Sequence, residues 1–499
     1  MTGNTGFAHS SDASVSPGQS ASGAESAQDY TDSVVPASER RSNFRMFLTF
    51  LSMQATFGAA YVGYTARFEG LSFTQLIIAM AIATVAMSLY CIGSANAGAA
   101  VGQTTSLMTR SVFGRLGSRL VSVLLLINGM GFYIFTVLFV MSLLGGLFTV
   151  PAVQAVTVGI AFVMITNTYF GFDGVQRFAQ YVAVPVVMIW GLYATIRGLA
   201  TVSGSQLHSQ LHVASPSSIL FVTGAMVGLS TWGNEADVFR YAKTRPRWNL
   251  PTIIVSYAVG SFMFPIMGYV VAVLANQADF GPSIKYFVNF SLFGLVALGF
   301  VFFIVNQAAV NDGNLYIAVN GVQNLTSELP RWRRKYTVLL LGAIAAGLTL
   351  ILPSLQQTFN IVTGIGAVTV PTASTVMAMD VFVLPRLFGL RRPMDRVAHW
   401  RHTARANWPG VVAVVAGTVV GTVTGGLIPG TAGFQHTYIG FPALQAWLTG
   451  AVVYLIGVAL VHKRANATVL LGFPRFEPEP AEAPDGSHEV PSELVPELS

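Results

Sequence analysis

The stretch Gly224–Tyr241 (GAMVGLSTWGNEADVFRY) begins as an apolar helix and turns polar in mid-run, at Ser230, Thr231, Trp232, Gly233, Asn234 and Glu235. Inside lipid every backbone N–H and C=O needs an internal partner, so a glycine-containing polar break survives only where protein or a cavity surrounds it. Polar and ionisable groups at membrane depth are costly and mark candidate functional sites. The pattern therefore fits a broken helix that offers backbone and side-chain groups to a small solute. A second cluster comprises Asn306, Gln307, Asn311, Asp312 and Asn314. Its first member lies about 15 residues into an apolar run, near a bilayer centre at ~1.5 Å per residue. Adjacent carboxamides both donate and accept, which suits the amide and ring-nitrogen edge of a heterocycle. Asn128, Phe132 and Tyr133 add an amide beside aromatic rings, the composition of a small-ligand pocket, although helix packing uses such rings equally.

Two roles stand open for Glu235: a proton-accepting carboxylate, or a polar group at the mouth of its span. Asp237 and Arg240, three apart on one helical face, read as a structural ion pair, and Asp380 with Arg386 reads the same way. None of the eight histidines falls in mid-span. His208 and His212 share helical spacing but lack a third ligand, so no metal site is expected. The sole cysteine, Cys91, lies in an apolar run and reads as a small buried hydrophobe. No nucleophile elbow or phosphate loop is present, so the sequence supports no enzyme and implies no cofactor.

The chain that positions these groups is 499 residues long, 53% hydrophobic and only 10% charged. Soluble domains carry roughly 25% charged residues. Segments of about 20 apolar residues cross a bilayer, and twelve are expected: 44–65, 73–98, 119–148, 151–169, 178–200, 217–241, 250–275, 291–322, 336–353, 359–385, 409–429 and 441–462. With the N-terminus inside, this layout puts every Lys and Arg except Arg67, Arg197 and Lys285 on the cytoplasmic side, as the positive-inside rule requires. Removing one span would reverse every later cluster. The asymmetry explains the net charge of +6 without nucleic acid.

The expected organisation is a disordered cytoplasmic tail (1–43), a twelve-helix domain (44–464) and a second disordered cytoplasmic tail (465–499). Residues 110–118 (RSVFGRLGS) read as a short basic link, and 277–290 as a helix lying near the surface. Spans one (TFGAAYVGY, with Gly58 and Ala59) and six occupy corresponding positions in two inverted five-helix repeats, where discontinuous helices form midplane sites.

TTSLMTRSVFGRLGSRLVSVLLLINGMGFYIF, ADVFRYAK, NDGNLY and VPTASTVMAMDVFVLPR resemble, in the same order, segments of the cytosine-permease branch of the nucleobase:cation symporter-1 family. The similarity covers roughly residues 44–460. It implies an all-α integral membrane fold of two inverted five-helix repeats (about 44–200 and 217–386) plus two extra helices (409–462), with helices one and six broken. It also implies import of a nucleobase-like heterocycle with a coupling cation. By position, Tyr133 matches the aromatic that stacks on the base, Met130 replaces a family glutamine, and Asn306 matches a central asparagine. The hydroxyl pair of sodium-coupled relatives falls at Ala309 and Val310, which supply no side-chain oxygen and favour H⁺ over Na⁺.

The expectation is a multi-pass cell-membrane symporter for a base such as cytosine or a purine. Asn128, Tyr133, Ser230, Thr231, Trp232, Gly233, Asn234, Asn306 and Gln307 would bind it, and Glu235, Gly58 and Ala59 are the candidates for ion coupling. A carrier of an amino acid or vitamin, or an uncoupled receptor or channel, is the alternative. The partners implied are the small-molecule substrate and the lipid bilayer; the sequence does not speak to oligomeric state.

Overall fold

The computed structural model describes residues 30, 32–149, 153–169, 171–243, 246–327, 334–351, 354–431, 433 and 441–474. Both expected tails lie largely outside these, as do Arg245, Arg331, Arg333 and Arg475. The described residues form helices without strands, and helix stands in each of the twelve expected stretches.

Span one is Asn43–Gln54 and Phe57–Phe68, bent by 42° at a two-residue break. Span two is Phe73–Val101 and span three Thr105–Leu147. Span four is Val153–Met164 followed by Thr166–Tyr169. Gly171–Phe178, a π turn and Val184–Thr201 make span five. Pro216–Ser230 and Glu235–Phe239 are the halves of span six. Pro246–Ala258, a π turn and Phe264–Ala275 form span seven. Span eight, Val296–Leu325, is one uninterrupted helix, and span nine is Arg334–Thr349. Leu355–Val368 and Val370–Phe382 make span ten, Trp408–Thr424 span eleven and Pro442–Val461 span twelve. Counting bent span one as one crossing, eight are long and apolar enough by themselves; spans four, six, nine and eleven are shorter. The surface helix expected over 277–290 is Phe280–Leu292.

Two local expectations are corrected. Residues 110–118 are not a link between spans: span three is already helical from Thr105, and Gly114 (φ 70°) turns it through an elbow. The amides freed by that elbow, Arg115 and Leu116, donate to the carbonyls of Ala404 and Arg405 at 2.9 and 3.0 Å, and Arg110 is buried on Asn324. The Asp237 carboxylate accepts from the Thr105 amide at 2.6 Å, and Arg240, whose charge acts on that carboxylate, donates its Nε to the Asp237 carbonyl at 3.3 Å. Asp380 pairs with Arg392, twelve residues on, at 2.7 Å; Arg386 instead donates to its own helix at Phe382. Asp380 thus takes its cation from a residue that only tertiary packing brings near.

At the basic end, the segment before span one is tied to the bundle. Val35 N–H donates to the Gly102 carbonyl (2.8 Å), Arg41 N–H to Tyr241 (2.7 Å), and the Arg40 guanidinium to Ala99 and Ala242 (2.7 and 2.9 Å). Burial, and then the charge of Arg240, hold Arg40 below the ordinary arginine value.

Spans one and seven meet backbone to backbone. A Cβ on Gly63 would lie 1.8 Å from the Pro265 carbonyl oxygen, and one on Gly268 1.8 Å from that of Ala60. Backbone cannot yield as a side chain would, so Gly63→Ala and Gly268→Ala must part the helices. Overpacking of this kind costs about 1–3 kcal/mol. Thermal melts of the detergent-purified variants are expected to fall below wild type, and an unchanged melt would contradict the close contact.

Candidate functional site

Each break leaves backbone groups without helical partners, and each is closed by side chains from other spans. In span one the gap is Ala55–Thr56. Asn306 of span eight bridges it: its Oδ1 accepts from the Phe57 amide (2.9 Å) and its Nδ2 donates to the Ala55 carbonyl (2.5 Å). Thr56 caps the second half, accepting from the Gly58 amide at 3.0 Å. Gln307 donates to Asn306 Oδ1 at 3.3 Å, which orients that carboxamide.

In span six the gap runs over 231–234. Gly233 sits at φ +80°, where a side chain would strain the backbone, and a Cβ there would lie 2.4 Å from Val370 of span ten. Asn128 of span three donates to the Trp232 carbonyl (3.0 Å), and Ser374 of span ten donates to that of Gly233. Glu235 folds back on its own helix start, and its Oε1 accepts from the amides of Trp232 (3.1 Å) and Gly233 (3.4 Å). Thr231 and the Trp232 indole are satisfied within span six, on Val227 and Leu229. Gln54, the last residue before the first break, reaches the Ser230 carbonyl at 3.5 Å, so the two breaks touch.

Between the breaks lies a cavity of about 10 Å³, room for one water at most; Met53, Trp232, Asn234, Asp312 and Tyr316 are among its walls. Asp312 is fully buried and accepts from the Thr168 hydroxyl at 3.2 Å. The carboxamide oxygens of Asn234 and Asn128 are buried without a partner among the described residues. Polar groups held in this state favour a ligand that supplies donors. A larger cavity of about 440 Å³ opens at the opposite end from the basic clusters, lined by Glu69, Ser215, Ser218, Asn360 and Thr363 among others. It ends above the seam where a Cβ on Gly228 of span six would lie 2.2 Å from the Thr363 carbonyl of span ten.

The structure thus brings together Asn128, Ser230, Thr231, Trp232, Gly233, Asn234, Glu235, Asn306 and Gln307, with Gly58 and Ala59 beside the first break. Tyr133 stands apart. It is fully buried among side chains of spans four, eight and nine, and its hydroxyl donates to the Ala161 carbonyl at 2.9 Å. Its neighbour Phe132 turns with Asn128 toward span ten, each 2.8 Å from where a Gly366 Cβ would sit. Sequence reasoning missed Gln54, Tyr90, Ser94 and Ser374. The lone carboxamide of Gln54 in FLSMQATF was a usable signal; the three hydroxyls sit among apolar or small residues and carried none.

Comparisons with known proteins speak to the family and the fold. The sequence profile of the family described as "Permease for cytosine/purines, uracil, thiamine, allantoin" matches residues 34–457. The cytosine permease of Escherichia coli (strain K12) is 24% identical over 451 residues, spanning 88% of this chain and 96% of that protein. Among solved structures, the nucleobase-cation-symport-1 family transporter Mhp1 in a closed conformation with bromovinylhydantoin bound superimposes with a TM-score of 0.69 at 13% identity, covering 88% of this chain and 98% of that one. The inward-facing conformation of Mhp1 gives 0.63 at 16% identity, with coverages of 86% and 94%. At these identities the structural matches speak for the fold, and the closed form fits the more closely.

Asn306 gives the sharpest test of the geometry. Asn306→Ala leaves a buried amide and a buried carbonyl unpaired, each costing about 1–3 kcal/mol, so a lowered melting temperature is expected together with lost ligand binding. Asn306→Asp keeps an acceptor for Phe57 and loses the donor to Ala55, and is expected to fall between Ala and wild type. A melt unchanged in Asn306→Ala would show that the break does not depend on it.

Proposed function

The chain belongs to the family of permeases for cytosine/purines, uracil, thiamine and allantoin, and on that footing we propose that it imports a nucleobase-like heterocycle, such as cytosine or a purine, together with a proton by alternating access. It is a permease and not an enzyme. The observation that carries the reading is the meeting of two helix breaks at mid-bundle, edged by the carboxamides of Asn128, Asn234, Asn306 and Gln307 beside the Trp232 ring. Amides in a buried setting read the donor and acceptor edge of a flat heterocycle, and an aromatic face supplies the apolar contact. Phe132 joins Trp232 as a candidate for that contact, since it faces span ten beside Asn128.

The amino-acid alternative loses support at the first break. A substrate carboxylate would need the free N–H groups of a helix start, and here Phe57, Gly58 and Ala59 already donate to Asn306, the Thr56 hydroxyl and the Thr56 carbonyl. Sodium loses support at the same place. The Ala55 carbonyl is engaged by Asn306, and Ala309 and Val310 bring no oxygen where sodium-coupled relatives have hydroxyls. Glu235 is then the proton carrier of choice. The basic clusters favour a cytoplasmic position for the strapped end and both termini, and with that orientation the 440 Å³ cavity faces outward.

Two measurements test this. In proteoliposomes, accumulation of radiolabelled base is expected to follow an imposed pH gradient and ignore a sodium gradient; the reverse overturns the proton. A thermal-shift panel of bases, hydantoins, allantoin and vitamins is expected to show its largest shift with a base, because a ligand at a hundredfold its Kd adds about 2.7 kcal/mol to native-state stability. A panel answered only by amino acids or vitamins overturns the substrate class.

A further inference from the structure

From the partners of Glu235 we infer that Oε2 of this residue is a proton-binding atom, and that Tyr90 and Ser94 of span two are its positioning residues. This rests on the proton-coupled reading above and assigns to it an atom and two further side chains.

Glu235 is 1% exposed, and its two carboxylate oxygens meet different kinds of partner. Oε1 accepts from the backbone amides of Trp232 and Gly233, which can only donate. Oε2 accepts from the Tyr90 hydroxyl at 2.9 Å and the Ser94 hydroxyl at 3.0 Å. A hydroxyl rotates to accept as well as to donate. A proton added to Oε1 would face two donors and force the break open. On Oε2 it forms an O–H bond whose hydrogen is received by turning one hydroxyl round, while Oε1 keeps both amides. The carboxylate becomes a neutral acid, the proton comes from water on the side to which the break is open, and the helix cap survives the change.

The surroundings suit that exchange. Among the described residues, the other titratable groups facing Glu235 are Cys91 of span two beside Tyr90, Tyr257 of span seven and Asp237 of its own helix, and none of them is a cation. A fixed positive partner would hold the carboxylate ionised; hydroxyls leave both forms hydrogen-bonded. Tyr90 in turn stacks on Trp447 of span twelve, with centroids 4.7 Å apart at 27°, and the Trp447 indole donates to the Ala367 carbonyl of span ten at 2.8 Å. The hydroxyl that answers the proton is therefore carried on a ring fixed to spans ten and twelve. That fixes where Oε2 finds its partner.

Infrared difference spectra of the purified full chain between acidic and alkaline buffer test this with the proton as the only ligand. The carboxylic-acid C=O band expected on acidification is lost in Glu235→Gln. Its frequency shifts in Tyr90→Phe and again in Ser94→Ala, because that frequency follows the hydrogen bonds made by the acid. Tyr269→Phe, which removes a hydroxyl at the far end of span seven, leaves it unmoved. No Glu235 band, or a band indifferent to both span-two variants, overturns the inference. Should Glu235→Gln fail to fold, the shifts in the two span-two variants decide alone. Uptake driven by sodium with the shifting band intact would overturn the proton-coupled reading and leave the site standing; uptake driven by pH without the band would do the opposite.

Discussion

Unpaired backbone at membrane depth is the constraint from which the rest of this structure follows. A helix that breaks inside lipid exposes amides and carbonyls that have no water to turn to, at several kcal/mol for each group left alone. Here the first break is closed by one carboxamide of span eight, which serves a carbonyl and an amide at once. The second is closed by span three through Asn128, by span ten through Ser374 and by its own Glu235. Spans three, eight and ten are thereby drawn to the centre, and close contacts such as Gly228 against the Thr363 carbonyl shut the path above it.

The same groups explain how a static-looking centre can carry a solute. Asn306 and Glu235 satisfy breaks rather than stand idle, so on the proposed reading a substrate or a proton would act by changing the partner of a group that already has one. The exchange of one hydrogen bond for another is nearly neutral, whereas leaving a buried group unmade is costly. A site built this way favours ligands that restore what they displace, and a heterocycle with both donors and acceptors on one edge meets that demand. The small cavity beside Trp232 and the unpartnered oxygens of Asn128 and Asn234 mark where such an edge would enter.

Much of this was legible in the sequence because the signals are compositional or local. Hydropathy and the placement of Arg and Lys gave the spans, and polar residues in mid-run gave the break in span six and the Asn306 cluster. What was missed depends on rotation and on distant partners. One residue turns a helix by about 100°, enough to put Phe132 toward span ten and Tyr133 away from it. The partners of Glu235 Oε2 and of the Asp237 and Asp380 carboxylates include groups on spans or loops that no spacing rule connects to them. The elbow at Gly114 looked like a link between spans because the contacts that hold it, from Arg110 to Asn324 and from the backbone at 115–116 to residues 404–405, join distant parts of the chain. Local pattern places a group at a depth; only packing says what it touches.

The central claim is that the two breaks together form the ligand site. Hydrogen–deuterium exchange of the purified protein, with and without the heterocycle that gives the largest thermal shift, addresses it directly. The account predicts slowed exchange at residues 55–59 and at 230–235 in the same experiment. Protection confined to the residues around the larger cavity, near 215–225 and 360–367, with both breaks unchanged, would contradict it.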